Sequence, residues 1–178
     1  MLVLFSPLFQ YSAPSCLLTS LDKRAIREGM LMDKTLGEER ISSLKKEFSQ
    51  GFVKSCGIKL ISLTRGRAES SLAITQTHSQ QDGFAHAGVM ATMADHTAGY
   101  AAFSLVTDEF RILTIEFKIN FLRPAAGERL VCRAQVVKEG RNILVSDSEV
   151  YHQDDGIEKL VAKALVTLMA VPAKALRT

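Results

Sequence analysis

The run Ala87-Gly88-Val89-Met90-Ala91-Thr92-Met93-Ala94-Asp95-His96-Thr97-Ala98-Gly99-Tyr100-Ala101-Ala102-Phe103-Ser104-Leu105-Val106 decides the fold. Its apolar side chains are spread almost all round a helical wheel, and a helix of that kind is buried on several sides. A sheet curved around one helix satisfies it. Between His86 and Asp108 the only formally charged side chain is Asp95. Aspartate is a poor residue for a helix interior, and burying its charge costs on the order of several kcal/mol unless it is paired or hydrogen-bonded. Two readings of that isolation stand: Asp95 and His96 form a solvated stripe, or Asp95 is kept for chemistry.

Working outward, the polar stretch Gln76 to Gly83 reads as a loop. Before it, Ile58 to Thr64 and Ala68 to Thr75 read as a hairpin turning at Arg65-Gly66-Arg67. Earlier still, Ile41, Leu44 and Phe48 among Lys45, Lys46 and Glu47 mark one amphipathic helix that Gly51 stops. After the long helix the period changes to two: Leu113, Ile115, Phe117, Ile119 and Phe121 alternate with Thr114, Glu116, Lys118 and Asn120. Arg123-Pro124 ends that strand. Glu128 to Lys138, Ile143 to Tyr151 and Glu158 to Val171 follow as further strands, separated by Gly140 and Gly156 turns. Helix, two strands, long helix and four strands make an α+β domain with an antiparallel sheet.

A chain of 178 residues, 47% hydrophobic and 23% charged, holds one soluble domain. The net charge of +3 is too small for a nucleic-acid footprint. Cys16, Cys56 and Cys132 lack metal or disulfide spacing, so a reducing, cytoplasmic setting is expected. His78, His86, Asp95 and His96 carry no metal-ligand spacing either, so no metal and no cofactor are expected. The apolar start is broken by Pro7 and Pro14 before any run reaches the roughly 18 residues of a membrane span. Residues 1–36 are read as an extension outside the fold, either a weak transit peptide or the product of an upstream start, with the domain at 37–172 and a tail at 173–178.

His86 stands at the entrance of the long helix, where free N–H groups and the positive dipole end collect. Ala87 and Gly88 supply donors of the kind that stabilise a carbonyl oxygen gaining charge. Asp95 lies nine residues beyond His86, roughly 13 Å along a regular helix, too far to serve the same carbonyl. A second copy with its helix antiparallel would bring Asp95 beside that helix start, so the chemistry calls for a two-fold dimer. Arg123, Lys138 and Arg141 sit at strand ends and a turn, where they could meet phosphates or form a solvated rim.

Gln80-x-x-Gly83-x-x-His86-Ala87-Gly88-Val89 followed by Thr92-Met93-Ala94-Asp95 resembles the signature of the PaaI-like hotdog thioesterases. The likeness continues through Leu113-Thr114-Ile115-Glu116-Phe117 to Phe121-Leu122-Arg123-Pro124-Ala125. It implies a hotdog fold, a homodimer or dimer of dimers, and metal-free hydrolysis of acyl-CoA thioesters. Residue by residue, it implies Asp95 as base or nucleophile, the N–H of Ala87 helped by Gly88 as oxyanion donor, and His86 and Gln80 as orienting groups. It further implies Thr114 as a water-positioning hydroxyl; Gly83, Asn120, Arg123 and Arg141 are the candidate substrate-binding residues. Gln80 and Ala87 depart from the commoner asparagine and glycine, and strict alternation turns Thr114 to the polar side with Glu116 and Lys118. A non-catalytic acyl-CoA-binding module is the alternative function, and a hotdog hydratase a third that lacks its usual Asp/His motif.

Overall fold

The computed structural model describes residues 37–176. The readings made for residues 1–36, and for the end of the tail, therefore fall outside the described residues.

The first helix, α1 (Glu38–Phe48), carries Glu38 and Glu39 in its first turn and Lys45 and Lys46 in its last, each opposite in sign to the local dipole end. Leu44 and Phe48 are its buried residues. The helix ends before Gly51 as expected, and a second short helix that the sequence reading did not include, α2 (Gly51–Ser55), follows. The φ of +55° at Gly51 supplies the left-handed step that ends one helix and redirects the chain into the next, which buries Val53.

Strands β1 (Lys59–Thr64) and β2 (Arg67–Ala73) form the expected hairpin, closed at Gly66 with φ +73°. The long apolar run is helix α3 (Ala87–Phe103). It is followed by β3 (Phe110–Phe121), β4 (Arg129–Glu139), β5 (Ile143–Asp154) and β6 (Ile157–Pro172). The six strands make one sheet in the order β1-β2-β4-β5-β6-β3, every neighbouring pair antiparallel. A short 3-10 turn, Ala173–Leu176, ends the described chain, its Ala173 N–H held by the Glu109 carbonyl at 2.7 Å.

Helix α3 packs on one face of this sheet, and the core lies between them. The buried sheet residues there are mostly small: Ala68 and Ser70, Cys132 and Ala134, Ser146 and Ser148, Ala162 and Ala164. Two of the serine hydroxyls reach the helix. Ser148 donates to the Ala94 carbonyl at 3.0 Å, Ser70 bonds to Thr97 at 2.7 Å, and Thr97 donates to the Met93 carbonyl at 2.7 Å. None of the described helices is long and apolar enough to cross a membrane.

On the side of α3 next to α1, the His96 ring packs edge-on against Phe48 and lies 4.9 Å from Tyr100 between centroids. Its Nε2 is 3.1 Å from the carbonyl oxygen of Phe48, which neutral imidazole can satisfy by donating. Burial pushes the His96 pKa below its ordinary value, against the opposing pull of the Phe48 carbonyl and the Asp95 carboxylate. The unfolded chain thus binds a proton near pH 6.5 that the folded chain refuses, so stability falls as pH drops below about 6.5. His96→Gln should flatten this acid-side loss, measured as the urea midpoint at neutral pH and at about pH 5.5. An unchanged pH slope in the variant would show that other groups govern it.

Candidate active site

The phase of strand β3 places the site. Along β6 the buried residues are Ala162, Ala164, Val166, Leu168 and Ala170. Directly opposed residues in an antiparallel pair share a face. Ile112 and Thr114 oppose Ala170 and Leu168; the register then shifts between Thr114 and Glu116, and Phe117, Ile119 and Phe121 oppose Val166, Ala164 and Ala162. Ile115 is thus the additional residue of a bulge, and the strand changes phase there. The strict alternation expected from the sequence holds only beyond it. Thr114 belongs to the helix-facing side, while Leu113, Glu116, Lys118 and Asn120 face away.

That correction removes the conflict over Thr114. Its hydroxyl donates to Asp95 Oδ1 at 2.8 Å, joining the partly exposed carboxylate of α3 to the edge strand. Oδ1 is held, and Oδ2 has no hydrogen-bond partner among the described residues. A hydrogen bond to an ionised group is among the stronger ones in proteins.

The helix start is built by a loop with its own backbone logic. The Gln80 N–H donates to the Phe84 carbonyl at 2.8 Å and the Gly83 N–H to the Gln80 carbonyl at 3.0 Å, with Gly83 at φ +81°. The Ala85 N–H then reaches the Ala125 carbonyl at 2.7 Å, and the His86 N–H the His78 carbonyl at 2.8 Å. Gly83 therefore shapes the turn, and it does not line the neighbouring cleft. His86 is the N-cap of α3: its Nδ1 accepts from the Gly88 N–H at 2.9 Å, while the Val89 N–H goes to the His86 carbonyl at 3.0 Å.

This geometry corrects the reading of Gly88 as a helper donor, because its N–H is already taken by the His86 ring. Gly88 has a different use. A Cβ there would stand 3.0 Å from His86 Nδ1 and 3.4 Å from Cε1, so glycine makes the room in which the ring lies over the helix end. The Ala87 N–H has no hydrogen-bond partner among the described residues.

Gln80, His86, Ala87 and Arg123 come together on an open cleft of about 610 Å³, with Phe84 and Phe121 among its apolar walls. Arg123 spends one N–H on the Leu160 carbonyl at 2.9 Å and keeps its other donors. Two expected binding residues are elsewhere. Asn120 is on the far face, opposite Lys163. Arg141 is in the β4–β5 turn, at the end of the sheet where β2 begins, whereas Ala85 and Ala125 tie the start of α3 to the other end. His78 is engaged by the Thr75 backbone and His96 by Phe48, so the four groups considered as metal ligands do not gather.

Within one chain, Asp95 is eight residues from Ala87, about 12 Å of helix, and it does not line the cleft. The sequence signature named Gln80, His86 and Ala87, which share the cleft. It did not show the bulge, which strict periodicity hides, or the capping bond that occupies Gly88.

A six-stranded antiparallel sheet with one long helix against it is the hotdog fold. The thioesterase superfamily profile matches residues 82–159. A crystal structure of a thioesterase family protein from Silicibacter pomeroyi is similar with a TM-score of 0.72 and 40% identity, over 75% of this chain and 98% of that one. The PaaI protein of E. coli, from the phenylacetic acid degradation operon, gives a TM-score of 0.64 and 25% identity, over 71% of this chain and 88% of its own. The 1,4-dihydroxy-2-naphthoyl-CoA hydrolase of Listeria monocytogenes is 24% identical over 118 residues, 66% of this chain and 94% of that protein. The chain belongs to the thioesterase superfamily, among its PaaI-like members.

Thr114→Val keeps the shape of the side chain and removes the donor to Asp95. Hydrogen bonds to charged groups are worth about 1.5–3 kcal/mol, so thioester turnover should fall roughly 10- to 100-fold. KM and the thermal midpoint should change little. Turnover within about threefold of wild type would mean that the bond does not persist in the reacting complex.

Proposed function

We propose that this protein hydrolyses acyl-CoA thioesters as a homodimer, each site combining Asp95 of one copy with the α3 start of the other. The observation that carries this reading is the placement of Asp95: it is bonded to Thr114 on β3, the strand at one end of the sheet order, and remains about 12 Å of helix from Ala87 in its own chain.

Several features of β3 support a second copy there. It spans 12 residues, pairs with β6 on one side only, and leaves Leu113, Ile115, Phe117 and Phe121 exposed. Unpaired edges of this length are normally blunted or covered. Antiparallel pairing with the same strand of a second copy satisfies its N–H and carbonyl groups through an isologous, two-fold contact. The same operation sets the two α3 helices antiparallel and brings Asp95 towards the other cleft.

In the reaction, the Asp95 carboxylate takes a proton from water as the oxygen of that water bonds to the thioester carbon. The carbonyl oxygen becomes an oxyanion and is stabilised by the Ala87 N–H of the other copy, with the Gln80 amide orienting the thioester. Collapse breaks the carbon–sulfur bond, and CoA thiolate recovers the proton from Asp95. Arg123, with donors to spare beside the cleft, suits a phosphate group of CoA. The relative acting on 1,4-dihydroxy-2-naphthoyl-CoA supports a CoA thioester substrate. The Phe84 and Phe121 walls suit an apolar or aromatic acyl part.

Asp95→Asn should keep oligomeric state and acyl-CoA binding while kcat falls on the order of 10²–10⁴-fold, as expected for loss of a general base. Free-thiol release from a panel of acyl-CoA esters measures this. Wild-type binding without thiol release would favour the non-catalytic alternative, and a fully active monomer in sedimentation would remove the shared site. Every group in this mechanism lies between Gln80 and Arg123, so deletion of Met1 to Gly29 should leave turnover intact. Loss of activity in that truncation would assign the extension a part in the fold.

A further inference from the structure

We propose that His86 is locked by its helix cap in the tautomer that carries the proton on Nε2, and that this N–H replaces the Gly88 N–H as second donor to the thioester oxygen. The inference rests on the thioester-hydrolase reading above and goes beyond it in assigning the state and task of one ring.

The argument begins with donor accounting. An oxyanion site at a helix start is commonly served by more than one N–H, and here the next backbone donor after Ala87 is spent: Gly88 N–H lies 2.9 Å from His86 Nδ1. An amide N–H can bond to Nδ1 only where that nitrogen has its lone pair free. A neutral imidazole that accepts at Nδ1 must hold its proton at Nε2. The helix cap therefore sets the tautomer.

The location fits donation to substrate. His86 is exposed and lines the cleft together with Ala87 and Gln80. Since Nδ1 is turned to the helix, Nε2 on the other side of the ring is turned away from it. The seat is specific, because a Cβ at position 88 would come within 3.0 Å of Nδ1. The His86 backbone is fixed as well, its N–H on the His78 carbonyl at 2.8 Å and its carbonyl on the Val89 N–H at 3.0 Å. A ring held at both its backbone and Nδ1 needs little reorganisation to present one N–H. No proton moves in this role: the imidazole remains neutral while the carbonyl oxygen gains and then loses charge.

The test has two arms. Long-range 1H–15N correlation on the wild-type protein should show Nδ1 unprotonated and Nε2 protonated for His86. Adding an S-acylmethyl-CoA ketone, whose methylene blocks hydrolysis but keeps a carbonyl, should shift the Nε2–H resonance. The second arm is His86→Ser, which retains a neutral N-cap acceptor and loses the remote donor. Its thermal midpoint should stay near wild type while kcat on an acyl-CoA falls about 10²–10³-fold, the usual effect of removing one oxyanion donor. A proton found on Nδ1, an Nε2–H resonance that ignores the ketone, or a His86→Ser kcat within about threefold of wild type would overturn the proposal. Because the tautomer is read without turnover, a protein that hydrolyses no acyl-CoA would refute the proposed substrate and leave this arm to judge the ring on its own.

Discussion

Helix α3 can lie against the sheet only because the strands beneath it carry alanine, serine and cysteine where bulkier residues would hold it off. Interiors pack at crystal-like density, so the height of a helix above a sheet is set by the size of the side chains between them. Here the small residues also bring hydroxyls within reach of the helix backbone, and Ser148 bonds to the carbonyl of Ala94, the residue immediately before Asp95. Thr97 holds the Met93 carbonyl and is itself held by Ser70. The Asp95 carboxylate is thus carried on a stretch of helix whose successive carbonyls, of Met93 and Ala94, are both bonded by buried hydroxyls. The buried hydroxyls of Ser70, Thr97 and Ser148 are satisfied by these same bonds.

The fold was largely legible in the sequence because its strongest signals are periodic ones. An apolar stretch without a polar face demanded burial, and the alternating strands after it supplied a surface for that. Gly66 closed the hairpin where expected. The short helix that follows Gly51 was missed for a definite reason. A glycine with positive φ ends a helix, but it also redirects the chain, and whether a new helical turn follows depends on residues such as Val53 finding burial.

The sequence could offer candidates for the site but could not give their geometry. Asp95 stood out as a lone charge, and His86, Ala87 and Gln80 by their place at the helix start. Periodicity could not show the phase change at Ile115, since an inserted residue leaves no chemical mark on its neighbours. Nor could a one-dimensional reading tell that Gly88 had committed its N–H to His86, which is a matter of ring placement. Asn120 and Arg141 were the weakest members of the expected set for a related reason: strand parity and the end of the sheet decide what a residue can reach, and both depend on register.

The bulge in β3 means that this strand has two reading frames. Up to Thr114 the even-numbered residues turn to the helix, and from Phe117 the odd-numbered ones do. One frame delivers a hydroxyl to Asp95, the other delivers Phe117 and Phe121 to the same side. A perfectly regular strand could not supply both without exchanging residue types along its length. A substitution on either side of Ile115 is therefore read in its own frame, so the two halves of the strand can vary without disturbing each other. The loss of a single residue between them would misread one half wholesale, a frameshift in space that no change of side-chain chemistry could imitate.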